Sequence, residues 1–110
     1  MTMKTRKLGG GTTAIALVAI MGSVWSGALI AGDINNGKKH YSSYCVSCHG
    51  ATGTSVMPGA PNFRQGERLM QPDMMLRASI QSGKNACPSF QGMLNDRDIM
   101  DVISYIRTLN

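Results

Sequence analysis

The run Cys45-Val46-Ser47-Cys48-His49 constrains this chain more than any other stretch. Two thiols three residues apart share one helical turn, and an imidazole follows at once. That is the attachment pattern of a c-type haem. Each thiol can add to one vinyl group of the porphyrin, while the adjacent histidine presents Nε2 to the iron from the proximal side. Other uses of the same residues are open to the chain. A thioredoxin-like dithiol needs a βαβ context. A zinc site could be assembled from Cys45, Cys48, Cys87 and His49 or His40. Cys87 is the third and last cysteine, so there is no disulfide framework and one thiol lacks an obvious role.

The first third of the chain does not read as part of a folded domain. Lys4, Arg6 and Lys7 form a basic start, no charged residue occurs from Leu8 to Gly32, and Ala14–Met21 is a compact apolar run. Small residues follow at Ser26-Gly27-Ala28 and Ala31-Gly32. This is the order of a secretory signal peptide, with a cut after Ala28 or else after Ala31 or Gly32. Left uncut, the same stretch would be an N-terminal membrane anchor, weakened by its Gly, Ser and Thr content. The expected organisation is a leader over 1–32 and one domain over 33–110, periplasmic or otherwise exported. Beyond the leader there are eight basic and six acidic residues. The basic balance is thus mostly a targeting feature, and with no Lys/Arg run after residue 40 no nucleic-acid partner is expected.

The remaining roughly 80 residues bury little of their unfolded surface, about 60%, and need help to be stable. Residues 34–44 read as a first helix, in which Gly37 needs a reason such as close approach of another helix. Residues 50–66 are broken by Gly and Pro into loop. Pro72-Asp73 opens a second helix with Pro in the first turn. Leu76 and Ile80 form its buried stripe, and Gly83 ends it as a C′ residue. Residues 84–93 are loop again. Asn95 caps the last helix, Asp96 and Asp98 favour its positive end, and Ile99, Val102, Ile103, Ile106 and Leu109 make its apolar stripe. The acids as a group read as solvated faces, and most of the nine methionines as core filler. The fold class is all-α, with loops so long for its size that they must wrap something.

Over residues 34–109 the chain resembles a class I c-type cytochrome. That family begins on a helix with Gly, an aromatic, the two cysteines, His and Gly in register, which here are Gly37, Tyr41, Cys45, Cys48, His49 and Gly50. The resemblance implies a cytochrome c-like helical domain around one covalent haem c, its first and last helices crossing at Gly37, Tyr41 and Tyr105. It also implies that the Pro61 carbonyl, in Ala60-Pro61-Asn62-Phe63, accepts a hydrogen bond from His49 Nδ1 and fixes its tautomer.

The family's distal ligand is usually a methionine in a Met-Pro-x-Phe segment, and Cys87-Pro88-Ser89-Phe90 stands there instead. By this resemblance Cys87 is the distal iron ligand, and a thiolate ligand is established haem chemistry. Met93 is the alternative; Met57 and His40 are further competitors, His40 on the proximal side. Cys87 could also be an inert small residue or an intermolecular disulfide partner. Ligation by His49 and Cys87 implies low-potential one-electron transfer with redox partner proteins, and no enzyme activity of the chain's own. The same ligand pair also suits a redox-gated haem binding NO or CO, a heterodimer with a sister cytochrome subunit, or the haem subunit of a sulfur-oxidising enzyme.

Overall fold

The computed structural model describes residues 31–110, together with 2, 3, 5 and 9–11. The leader expected over 1–32 falls mostly outside these residues. Among the described residues no helix is long and apolar enough to cross a membrane. Four helices follow in order: α1 over Ile34–Tyr44, the single turn α2 over Val46–His49, α3 over Asp73–Ser82 and α4 over Asp96–Ile106. A 3-10 turn over Phe63–Gln65 interrupts the long loop between α2 and α3. The described residues contain no strand, only isolated bridges pairing Lys84 with Cys87 and Gln91 with Leu94. The all-α class is therefore correct.

The helix ends follow from local chemistry. Asp33 caps α1, its Oδ1 accepting from the backbone N–H of Asn35 at 2.9 Å and of Asn36 at 3.0 Å, which satisfies two otherwise orphaned donors. Asn95 and Asp98 form a capping box at the start of α4. Pro72 sits one residue earlier than expected, at the N-cap of α3. Gly83 ends α3 with φ 72 and ψ 161. Its ψ is extended, so it does not close the helix in the expected C′ geometry; the chain beyond it returns to the end of α3, where Phe90 N–H donates to the Ile80 carbonyl.

The amphipathic α4 organises the core. Its Val102 and Ile106 pack with Tyr41, Phe63 and Leu69, while its Ile99 and Ile103 pack with Leu76, Phe90 and Leu94. Helix α1 crosses α4 at Gly37. A Cβ there would lie 1.9 Å from the Asp101 carbonyl oxygen and 3.0 Å from Tyr105 Cβ. Tyr41 meets Tyr105 edge-on at 5.2 Å.

Polar contacts lock the crossing. Asp101, only 2% exposed, accepts from the Asp33 backbone N–H at 2.7 Å and from Asn36 Nδ2 at 2.8 Å. Asp98 pairs with His40 Nε2 at 3.3 Å. The acids are thus not all solvated: Asp101 is buried because the α1 N-terminus supplies its donors. The methionines also differ from expectation. Met57, Met70, Met74, Met75 and Met93 are exposed, and Met100 packs against the core. Met74 and Met75 of α3 are 71% and 58% exposed, while Leu76 is buried.

Candidate functional site

The elements enclose a cavity of about 400 Å³. Its walls come from every part of the domain, including Tyr41 of α1, Leu76 of α3, and Val102 and Ile106 of α4. Cys45, Cys48, His49 and Cys87 all line it. Cys45 occupies the break between α1 and α2, with its backbone N–H still bonded to the Tyr41 carbonyl. Cys48 and His49 complete α2. The loop then folds back over this turn, the N–H groups of Val56 and Met57 donating to the Cys48 carbonyl at 3.0 and 3.2 Å.

His49 is held from two sides. Its Nδ1 lies 3.0 Å from the Pro61 carbonyl oxygen. A carbonyl can only accept, so Nδ1 carries the proton and Nε2 keeps its lone pair. Phe63 stacks on the ring, with centroids 4.4 Å apart and planes at 16°. Phe63 has no role among the sequence-based expectations; its signal is an aromatic two residues after the orienting proline. Tyr41 braces the motif from beneath, donating its hydroxyl to the Gly50 carbonyl at 2.7 Å. Burial, then Cys45 and Tyr105, push this phenol up to about 12, so it stays a donor.

The three cysteines are free and half-buried. Burial, then Cys87 and Cys48, push the Cys45 thiol up to about 12. Burial and then Cys48 push Cys87 up as well, against a hydrogen bond from the Lys84 backbone. The segment bearing Cys87 is fastened to the end of α3. Phe90 N–H donates to Ile80 O at 3.2 Å, Gln91 N–H to Gln81 O at 3.1 Å, and the Ser89 hydroxyl to Gln81 O at 2.6 Å.

The alternatives occupy other positions. Met93 is 60% exposed and does not line the cavity. Met57 lines it, but from the loop folded onto Cys48. His40 is taken up by Asp98 and by stacking on Tyr44. Among the described residues no group of three or more His, Cys, Asp or Glu comes close enough to hold a metal ion, so the zinc set does not form. The donor set instead fits a haem: an apolar cavity, two thiols on one turn, and an imidazole whose free nitrogen is fixed by its tautomer. Cys45 and Cys48 would tether it and His49 would face its iron.

Comparison with known proteins agrees. Residues 32–106 match the family model described as Cytochrome C oxidase, cbb3-type, subunit III. Cytochrome c6 of Thermosynechococcus vestitus is 37% identical over 108 residues, covering 94% of this chain and 91% of the relative. Cytochrome c6 of Synechococcus elongatus is 40% identical over 78 residues, covering 67% and 87%. The crystal structure of cytochrome c6 from the diatom Phaeodactylum tricornutum superposes with a TM-score of 0.57 at 27% identity, covering 70% of this chain and 93% of that one. With the folded domain matched from end to end, the chain belongs to the class I monohaem c-type cytochromes, all-α electron carriers, not enzymes, that are built around one covalently attached haem c.

Proposed function

We propose that this protein is a low-potential electron carrier working outside the cytoplasm, with His49 and Cys87 as the two axial ligands. Haem c supplies a one-electron Fe(III)/Fe(II) couple. The chain's own residues set its poise and its exposure. Cys45 and Cys48 tether the ring, and the Pro61 carbonyl holds the His49 imidazole in the tautomer that leaves Nε2 free. Met57, Pro58 and Gly59 are both cavity wall and exposed surface. Electrons therefore have a single layer of residues to cross between the cavity and a docked redox partner.

The observation that carries the ligand assignment is the placement of Cys87 on the cavity wall. Its segment is anchored to α3 at Ile80 and Gln81. A thiolate is a stronger, anionic donor than a thioether and favours the ferric state. Bound and deprotonated, it would also be shielded from the oxidation that threatens an unpaired cysteine in an exported protein. The anchoring favours a ligand that stays in place, hence a carrier over a binder of NO or CO, which needs that position to open.

Cys87→Met is the test. The wild-type ferric protein is expected to show a near-infrared thiolate-to-iron band that the variant lacks, and the variant's potential should rise. If the thiolate prefers ferric iron over the thioether by a thousandfold, the rise is about 180 mV at about 59 mV per tenfold. A wild-type spectrum with a methionine-type band that survives Cys87→Met and disappears in Met93→Ala would sink the assignment.

A further inference from the structure

The crossing of α1 and α4 calls for two particular residues side by side. Position 37 has to be glycine, because a Cβ there would lie 1.9 Å from the Asp101 carbonyl oxygen. Position 36 has to supply a donor. Asn36 Nδ2 donates to Asp101 Oδ2 at 2.8 Å and to Asp98 Oδ1 at 3.3 Å, and Asp101 is a carboxylate only 2% exposed. A buried acceptor of that kind needs its partner. Together the two demands place asparagine directly before glycine, and Asn36-Gly37 is the one such pair in the sequence.

The pair is chemically labile for a steric reason. Glycine has no Cβ to keep its backbone nitrogen away from the side-chain carbonyl carbon of the residue before it. In water the Gly37 nitrogen can bond to Asn36 Cγ, while its proton leaves with Nδ2 as ammonia. Water then opens the resulting succinimide ring at one of its two carbonyls, giving aspartate or isoaspartate. No oxidant or reductant takes part.

The folded crossing obstructs this reaction. The Gly37 N–H is already donated to the Asp33 carbonyl at 2.8 Å. Asn36 lies within α1, and ring closure needs its ψ to swing far from the helical value of about −42°. Its leaving amide is tied to two carboxylates of α4.

We propose that Asn36 is a deamidation site that the closed α1–α4 crossing protects, and that its conversion bars the chain from closing that crossing again. Aspartate at this position has no donor for Asp101. It also sets a further carboxylate against Asp98 and Asp101, with Asp33 one turn earlier on α1 and His40, already paired with Asp98, one turn later. An unpaired buried acceptor and like charges in contact both oppose closure. Isoaspartate additionally lengthens the backbone beside Gly37, where the facing chain leaves no room. Time spent unfolded is thereby converted into permanent loss. The proposal is independent of the Cys87 assignment.

The test follows Asn36 by peptide mass spectrometry in the holoprotein, held at one mildly alkaline pH and one temperature, in native buffer and in guanidinium chloride. Conversion is expected in denaturant, and about tenfold slower or more in native buffer, where it has to wait for local opening. Asn35, which is followed by Asn36 and not by glycine, should lag well behind in denaturant. On dilution from denaturant the unconverted molecules should refold and the converted ones should not. Asn36→Gln keeps the donor on a longer side chain that closes the ring poorly, so it should stay unconverted and refold after the same exposure. Equal conversion of Asn36 in the two buffers, or none in denaturant, overturns the proposal, and so does converted protein that refolds with the wild-type midpoint. If Asn36→Gln does not accumulate as holoprotein, the two arms of the wild-type experiment decide alone.

Discussion

A methyl group added at position 37 would meet backbone, not a side chain that could turn aside: the nearest atoms are the Asp101 carbonyl oxygen at 1.9 Å and carbon at 2.4 Å. Two effects compete in Gly37→Ala. Helix propensity favours alanine by about 1 kcal/mol. Overlap with the facing backbone forces the helices apart, and overpacking of this kind costs about 1–3 kcal/mol or more. The overlap should win, leaving the variant about 2 kcal/mol less stable in denaturant melts; an unchanged midpoint would refute the close crossing. The need for a special Gly37 was legible, because a glycine inside an otherwise helical pattern asks for an explanation. Asp101 was not. Its charge placed it with the solvated acids, yet it lies one helical turn before Tyr105, on the side of α4 that α1 covers. What buries it is the Asp33 N–H and Asn36 side chain, and a partner 68 residues away leaves no local trace.

At the scale of elements, the informative unit is α3 with the loop that follows it. Gly83 has φ 72 with an extended ψ of 161, a region essentially reserved for glycine. A Cβ there would come within 2.7 Å of the Cys87 carbonyl oxygen and the Ser89 nitrogen. Gly83→Ala should therefore displace the Cys87 segment while α1 and α4 persist. The expected result is unchanged helical circular dichroism, a weakened or heterogeneous near-infrared band, and a loss of about 2 kcal/mol, roughly 10 °C in Tm at this size. A sharp wild-type band in that variant would show that the loop does not set the sulfur. The helices themselves were readable from sequence: α4 from its stripe and its Asn95 cap, and the loops from Gly and Pro. The arrangement of the loop was not, because its three fastenings to Ile80 and Gln81 use mostly backbone groups that every residue carries.

For the whole molecule the cavity dominates. Leu76, Phe90, Leu94, Val102 and Ile106 belong to the core and also line the cavity, so one side of each packs on whatever fills it. With the pocket left to water, those inner faces stay unburied, and each large apolar side chain so exposed forfeits about 1.5–3 kcal/mol at most, against a domain stability of only about 5–15 kcal/mol. A Cys45→Ala/Cys48→Ala chain made without haem is therefore expected to keep some helical signal but to lose its near-ultraviolet circular dichroism and its cooperative melt. A sharp transition within a few degrees of the holoprotein would show that the polypeptide closes on its own. The helix crossing also bears on how the protein is made. Its two partners are the first and last helices of the domain, so α1 has nothing to lean on while the chain is still being synthesised. The chamber gains its final wall only after α4 has been released, and closing so long a span of chain is slow. The cofactor's seat is thereby complete only once α4 itself is in place.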